Sequence, residues 1–307
     1  MAFKLPGLPS FKDPIEEIAD FWEIEAIRQE YRFLSKVDIS SILSVESDET
    51  TIDGIDSDDD VIDIKLDEVL SEISFRQVAC FEDKYPFLVK KHSIKLKDDG
   101  SLEKLAYQFF LLATRLNMKE QKVFNDINGT DLFEKISSLV AKNLFGRSAQ
   151  SFVFGTAAKG NFKEKVVDMM NRIEDGRAFK NIDNNEPTKN DDGLDVVTWK
   201  NFADERRGKL IGFGQCKTGT TWQDEFEKLQ PNKFCDNWLT DSPLLKPFPM
   251  VFLTDTLRED LNLYSQQRNY LFLNRFRMME YLPESIDEEL ENDIKKWVDG
   301  AIEYIKN

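Results

Sequence analysis

Apolar residues recur at helical spacing in several long stretches of this chain. The clearest stripes run through 12–36, 102–117, 131–146 and 161–174, and a more acidic one lies around 293–305. An apolar side chain at every third or fourth position is typical of a helix with one buried face. The spacing therefore predicts a helix in each of these stretches, and a further helix beginning within 218–229.

Shorter apolar runs, bounded by glycine, proline or charged residues, predict strands between these helices. They lie at 75–81, 92–97, 151–154, 178–182, 194–199, 209–217, 247–254 and 270–274. The acidic stretch 37–75 instead predicts an exposed loop or a solvated strand edge. Its functional alternatives are a decoy for nucleic acid and a docking surface for a basic partner. Strands that alternate with helices in this way predict an α/β fold, preceded by an α+β N-terminal region.

Polar residues interrupt two neighbouring predicted strands in the middle of the chain. They are Asp195 in the first strand and Gln215 and Lys217 in the second. A buried charge is costly unless it is paired or binds a metal, so these positions need a partner. Residues i and i+2 share a face of a strand, and antiparallel pairing brings the start of the first run beside the end of the second. The pattern predicts that the three side chains lie together, with Cys216 facing the other way into the core.

These residues form the pattern D-x-G-x-D on the first strand and hydrophobic-Q-C-K on the second. The matching positions are Asp191, Gly193 and Asp195, followed by Gln215 and Lys217. The pattern resembles the PD-(D/E)xK restriction-endonuclease-like nuclease superfamily, and within it the Mrr-type branch. The resemblance implies a central mixed sheet flanked by helices. The predicted order helix–strand–strand–strand–helix–strand agrees with the core order of that fold.

The resemblance implies a role for each matched side chain. Asp195 would bind a Mg²⁺ or Mn²⁺ ion, and Gln215 would stand at the second metal-binding position, where most members have an acid. Lys217 would lie beside the scissile phosphate and orient the attacking water. Mg²⁺ prefers oxygen ligands and keeps several of its waters, so two protein side chains and the backbone oxygen of Cys216 can hold it.

Many members of the superfamily add an acid from a helix that precedes the first strand. Three glutamates compete for this role, and the sequence does not choose between them. Glu164 lies near the start of its predicted helix but opposite the apolar stripe, and Glu174 lies on a better face at the far end. Glu134 follows a phenylalanine, as an Mrr-type helix acid does, but its helix comes one element too early.

The resemblance implies a metal-dependent endonuclease that hydrolyses phosphodiester bonds, with DNA favoured over RNA, in bacterial restriction or anti-phage defence. Residues 151–307 would form the nuclease domain, and residues 1–150 a variable region for partner binding, sensing or restraint. A partner ATPase, helicase or sensor subunit is expected. The alternative is a non-catalytic subunit that keeps the nuclease fold and binds a partner protein or nucleic acid.

Other side chains near the predicted site have two interpretations each. Four arginines either contact phosphates or form surface ion pairs. Arg206 and Arg207 lie in the predicted turn between strands 194–199 and 209–217, and Arg275 and Arg277 follow the predicted strand 270–274. Trp199 and Trp222 either stack on an unpaired base or pack in the core, and core packing is favoured.

Composition excludes several other classes of protein. The 307 residues include one histidine, His92, and three cysteines without a C-x-x-C pair, which excludes Ser-His-Asp triads, zinc sites and disulfide frameworks. The loop 155–160 lacks the Lys-Ser/Thr of a P-loop. No run reaches the about 18 apolar residues of a membrane span, and no signal peptide is evident, so we expect a cytoplasmic protein.

The net charge of −16 is unusual for a nucleic-acid enzyme. The acids cluster in 46–72 and 284–293, whereas 159–217 is nearly balanced in charge. The global charge therefore does not exclude phosphate binding at one face.

Overall fold

The computed structural model describes residues 2–29, 32–45, 58–155, 158, 160–179, 192–256 and 269–306. The helices, in chain order, are α1 (Ile15–Arg28), α2 (Lys36–Val45), α3 (Asp58–Ala79), α4 (Leu102–Arg115), α5 (Gly129–Phe145), α6 (Phe162–Ile173), α7 (Pro231–Trp238), α8 (Arg275–Glu280) and α9 (Glu288–Lys306). The strands are β1 (Leu34–Ser35), β2 (Phe87–Lys90), β3 (Ser93–Leu96), β4 (Val123–Phe124), β5 (Ile127–Asn128), β6 (Ala149–Val153), β7 (Arg177–Phe179), β8 (Val196–Lys200), β9 (Leu210–Lys217), β10 (Leu239–Asp241), β11 (Phe248–Leu253) and β12 (Leu271–Leu273). The chain is a mixed α/β protein, as the sequence predicts.

The chain folds into two compact units. Unit 1 comprises residues 1–127 together with 287–307, and unit 2 comprises residues 128–286. The sequence places the boundary at residue 150 instead. The observed boundary is earlier because α5 packs on β6 and β8 of unit 2, and α9 belongs to unit 1 because it packs on α4.

Unit 1 is mainly helical, with a small antiparallel sheet in the order β1-β3-β2. Its core contains ion pairs as well as apolar side chains. Nη1 of the buried Arg76 lies 2.8 Å from Oδ1 of Asp20 and 3.0 Å from Oε2 of Glu23. The hydroxyls of Tyr85 and Tyr107 both donate to the Glu23 carboxylate. These charges are tolerated in the core because each has a charged or hydrogen-bonding partner.

Three elements of unit 1 differ from the sequence prediction. The helix predicted over 12–36 is α1, which ends at Arg28, and Leu34–Ser35 within the same stretch form the strand β1. The described part of the acidic stretch forms α2 and α3 rather than a loop or a strand edge, and 46–57 lie outside the described residues. The strand predicted at 75–81 is wrong, because these residues end α3 and lead out of it. Ile73, Arg76 and Cys80 are buried at helical spacing, and this burial fixes the helix.

Unit 2 is built on a five-stranded mixed sheet in the order β12-β11-β9-β8-β6. β6, β8 and β9 are antiparallel neighbours, and β9, β11 and β12 run parallel. Ile211 and Phe213 of β9 face an apolar cluster that includes side chains of α6 and α7. The other face approaches α5, since a Cβ on Gly212 would lie 2.9 Å from the Phe145 ring. The sheet is thus covered on both faces.

The remaining differences in unit 2 are local. The predicted helix after Lys217 is two short 3-10 turns, Trp222–Asp224 and Phe226–Lys228, followed by α7. The strand predicted at 178–182 is described only up to Phe179, where β7 pairs with β10; residues 180–182 lie outside the described chain. Within the described ranges, none of the helices is both long and apolar enough to cross a bilayer.

Candidate active site

A cavity of about 320 Å³ opens in unit 2 where β9 ends. The residues that line it come from α5, from the segment before β8, from the end of β9 and from the turns that follow: Thr130, Phe133, Glu134, Asp192, Gly193, Asp195, Gln215, Cys216, Lys217, Thr218 and Lys228. All three residues that the sequence predicts to lie together are among them. Asp191, the first acid of the D-x-G-x-D pattern, lies outside the described residues.

Strand pairing fixes Asp195 beside the end of β9. β8 and β9 pair antiparallel with Val196 opposite Gly214. One residue earlier, the Asp195 N–H donates to the carbonyl of Gly214 at 2.9 Å, and the Cys216 N–H donates to Oδ2 of Asp195 at 2.7 Å. The carboxylate is therefore held at the rim of the sheet by backbone that cannot shift without breaking the strand pair.

Gln215 and Lys217 are two residues apart on β9, and their side chains interact. When the Gln215 amide is oriented to satisfy its hydrogen bonds, its nitrogen donates to the carbonyl of Phe226 at 2.9 Å. Its oxygen then accepts from Nζ of Lys217 at 3.3 Å. The amide therefore links the lysine to the turns that follow β9.

Glu225 is a further charged residue beside the site, and sequence reasoning did not single it out. Its Oε2 accepts from Nζ of Lys217 at 3.0 Å and lies 3.2 Å from Nζ of Lys228. Hydrogen bonds from Lys217 and then from Lys228 lower the pKa of the Glu225 carboxyl. The sequence places this acid only eight residues after Lys217. It lies in a run that the sequence predicts to be a helix, so its spacing does not indicate a contact with Lys217.

Of the three competing glutamates, Glu134 is the one that reaches the cavity. It is buried on α5, and its carboxylate lies so close to Gly155 that a Cβ there would be 2.7 Å from Oε2. Glu164 instead accepts from the N–H of Asn161 in the capping box of α6. Glu174 is exposed at the other end of that helix. The long-range packing of α5 under β8 could not be read from sequence order.

Cys216 also lines the cavity, which differs from its prediction as a core residue. Burial first, and then the negative charges of Asp195 and Glu134, raise the pKa of its thiol well above the ordinary value. Both carboxylates thus act on the same thiol, from the sheet and from α5. The neutral thiol makes it a poor nucleophile at neutral pH.

The oxygen ligands at this cavity suit a hard divalent cation in part. Glu134 and Asp195 supply carboxylates, and Mg²⁺ completes its six ligands with water when few protein oxygens are present. A Gln amide or the backbone carbonyl of Cys216 adds neutral oxygen. In the part of the chain that the structure describes, there is no group of three or more His, Cys, Asp or Glu side chains placed to hold a metal ion. These ligands suit a Mg²⁺ ion that keeps several of its waters. They are too few to enclose a metal ion completely.

The other candidates are mostly structural. Arg275 is buried and donates to the carbonyl of Thr254, and Arg207 pairs with Asp175 and Asp241. Arg277 donates to the carbonyl of Phe272.

Both tryptophans lie in the cores of unit 2. Trp199 packs in the cluster on one face of the sheet, and Trp222 packs with the Phe226 and Phe272 rings. The interpretation of both as core residues is confirmed. Among these aromatic and basic candidates, Arg206, Arg207 and Arg277 are exposed, and Arg206 lies in the turn between β8 and β9.

Comparison of the chain with protein-family models, with curated proteins and with solved structures gives no match.

Proposed function

We propose that unit 2 is a divalent-metal-dependent nuclease that hydrolyses phosphodiester bonds. One observation carries the proposal: Glu134, Asp195 and Lys217 line the same cavity at the end of β9. Carboxylates can hold a metal ion that activates water, and a neighbouring lysine can stabilise the charge that develops on a phosphate. The three antiparallel strands followed by a parallel one further support a restriction-endonuclease-like fold.

The residues of the cavity divide the chemistry between them. Glu134 and Asp195 would hold a Mg²⁺ or Mn²⁺ ion, with Gln215 as a neutral neighbour. The bound ion supplies Lewis acidity and lowers the pKa of a water ligand. Lys217 would orient the attacking water and stabilise negative charge that develops on the phosphate. To do so, its ammonium exchanges the Glu225 carboxylate for a phosphate oxygen.

For the substrate we favour DNA over RNA, on the resemblance of the Q-C-K pattern to Mrr-type nucleases. The same resemblance favours a role in bacterial restriction or anti-phage defence, with unit 1 binding an ATPase, helicase or sensor subunit. The acidity of the chain argues against tight coating of nucleic acid, because like charges repel phosphates beyond the immediate site.

The test compares cleavage of supercoiled plasmid, linear DNA and single-stranded RNA in Mg²⁺ and in Mn²⁺. We expect Asp195→Asn, Glu134→Gln and Lys217→Met each to reduce the cleavage rate at least about 100-fold, because each removes a charge that acts in the transition state. Glu164→Gln and Glu174→Gln are the matched controls, since these acids lie away from the cavity.

Thermal melting of every variant separates loss of chemistry from loss of folding. Asn and Gln keep the size of the acids they replace, so we expect the melting temperatures to stay close to that of the natural chain. Cleavage that survives in all three cavity variants would refute the site. Equal losses in the two control variants would point to a general effect of removing charge.

A second candidate function rests on the hydrogen bonds of Gln215. Its amide is engaged at both ends, by the carbonyl of Phe226 and by Lys217, and it adds no negative charge for a metal. This arrangement favours a non-catalytic subunit that keeps the fold to bind a partner. Calorimetric titration with Mg²⁺ and Mn²⁺ distinguishes the two functions: the nuclease binds metal in a manner that Asp195→Asn abolishes, and the non-catalytic subunit does not.

A further inference from the structure

Helix α3 has apolar side chains on two opposite faces. The inner face, which includes Leu66, Val69 and Ile73, is buried in the core of unit 1. Apolar residues also recur on the outer side of the helix, at positions that helical geometry brings into one stripe. A surface helix with a single partner needs only one apolar face, so the outer one calls for an explanation.

The outer stripe of α3 consists of Val61, Ile64, Phe75 and Val78. Their exposed fractions are 62%, 62%, 57% and 66%. At 100° per residue they lie within one arc of about 100°, roughly opposite the buried face. Exposed apolar residues scattered singly are ordinary, but here two pairs, Val61 with Ile64 and Phe75 with Val78, lie on one helix face, separated by the exposed Glu68 and Ser71. Apolar pairs that share a helix face form a surface that another molecule can cover.

Negative charge surrounds this outer stripe. Glu68 lies within it, between Ile64 and Phe75, and is exposed. Asp60 and Asp67 follow along one edge and Glu72 along the other. Asp67 pairs with Lys36 of α2 at 2.6 Å, and Glu72 pairs with the buried Arg76 at 2.8 Å. Lys65 is the one basic residue beside the stripe in the described helix, so acids outnumber bases there.

We propose that the outer stripe of α3 binds an amphipathic helix of a partner protein, with an apolar face and flanking lysine or arginine side chains. Val61 and Val78 are 17 residues apart, which corresponds to about 25 Å, or nearly five helical turns. A partner helix of about 18 residues matches this length. Its apolar face covers the stripe, and its basic flanks meet Glu68 and Asp60.

The charge of the stripe argues against the two other occupants. A second copy of the chain would bring the same acids together, at a net charge of −16 for each copy. A membrane surface rich in anionic lipids would repel the stripe for the same reason. The basic helix is the one occupant of the three whose charge is complementary.

The experiment uses the full chain and a defined probe. The probe is a fluorescein-labelled 18-residue peptide with leucines along one helical face and lysines beside them, and binding is followed by fluorescence anisotropy. We expect Ile64→Ser combined with Val78→Ser to weaken binding about tenfold or more, because two apolar contacts near the ends of the stripe are lost. We expect Glu68→Lys to weaken binding about fivefold, and added NaCl to weaken it further.

Two controls exclude nonspecific attraction of a basic peptide to an acidic protein. A scrambled peptide of the same composition has no apolar face and should bind at least about tenfold more weakly. Leu244→Ser combined with Leu245→Ser removes exposed apolar residues of unit 2, and Glu284→Lys changes an acid outside α3. Neither should change the affinity by more than about twofold.

Several outcomes would overturn the proposal. They are no measurable binding of the lysine peptide, equal binding of the scrambled peptide, or an unchanged affinity of the Ile64→Ser/Val78→Ser variant. Sedimentation equilibrium that shows a dimer lost in that variant would assign the stripe to a second copy instead. Flotation with phosphatidylcholine–phosphatidylserine vesicles that the variant abolishes would assign it to a membrane. None of these measurements depends on nuclease activity.

Discussion

The contact between Glu134 and Gly155 shows how one residue controls the candidate site. Glu134 is buried, and its carboxylate occupies the space where any other residue at position 155 would place its Cβ. A larger residue here would have to displace the Glu134 carboxylate. The loop after β6 and the acid on α5 fit each other, and this fit sets the position of the carboxylate in the cavity.

We expect Gly155→Ala to destabilise the protein by about 1–3 kcal/mol, because the added methyl group overpacks the site. Shortening the acid should relieve the overlap. The double variant Gly155→Ala/Glu134→Asp should therefore be less destabilised than the sum of the two single changes. Chemical denaturation followed by circular dichroism measures all three.

Gly100→Ala is the matched control, since a Cβ at this position meets nothing within 4 Å. We expect it to change stability by less than about 0.5 kcal/mol in either direction. Strictly additive effects of Gly155→Ala and Glu134→Asp would show that the methyl group does not displace the carboxylate.

At the scale of elements, a buried Asp175 fixes the entry to β9. It accepts from the N–H groups of Gly208 and Lys209 at 2.7 and 2.8 Å, and from that of Leu244 at 3.2 Å. Arg207 adds an ion pair at 3.1 Å. Burial by itself raises the pKa of Asp175, but these hydrogen bonds outweigh it and the pKa is lowered overall. One carboxylate thus ties the turn between β8 and β9 to the segment before β11.

We expect Asp175→Ala to cost about 3 kcal/mol at pH 7, because three backbone donors lose a charged acceptor. The folded pKa is lowered, so this stabilisation is present above the ordinary aspartate pKa of about 3.9 and is lost as the pH falls below it. Urea denaturation from pH 7 down to pH 3 should show the two proteins converging in stability.

Asp204→Ala, an exposed acid in the same turn, serves as the control and should lose little stability at any pH. A gap between Asp175→Ala and the natural chain that stays constant down to pH 3 would contradict the lowered pKa.

The elements differ in how far the sequence could predict them. The sequence predicts the helices that have one apolar stripe, because burial and periodicity agree in them: α4, α5, α6 and α9. Helix α3 is hard to predict because its two apolar faces and interspersed acids hide the helical period. Asp195, Gln215 and Lys217 were brought together by strand pairing, which is local. Glu134 could not be chosen, because only the packing of α5 against the sheet distinguishes it from Glu164 and Glu174.

At the scale of the whole molecule, unit 1 is assembled from the two ends of the chain. Helix α9 joins it through Trp297, which is fully buried and packs edge-on against the Phe109 and Phe124 rings. The indole N–H also donates to the carbonyl of Lys122 at 3.0 Å. A domain boundary inferred from chain order alone assigns this helix to the wrong unit.

We expect Trp297→Ala to destabilise unit 1 by about 3–5 kcal/mol, through loss of a large buried ring. Hydrogen exchange followed by mass spectrometry should show amides of α4 and α9 losing protection first. Glu289→Ala, an exposed change on the same helix, should leave exchange unaltered. Protection lost first in β8 and β9 would contradict the assignment of α9 to unit 1.

The return of the chain to unit 1 at residue 287 has a consequence for biosynthesis. A ribosome makes the whole of unit 2 before it makes α9, so the sheet and its cavity can form while unit 1 is still incomplete. Until α9 is synthesised, the faces of Phe109 and Phe124 that Trp297 covers stay open to water. Until then the newborn chain exposes apolar surface of unit 1 that a chaperone can bind.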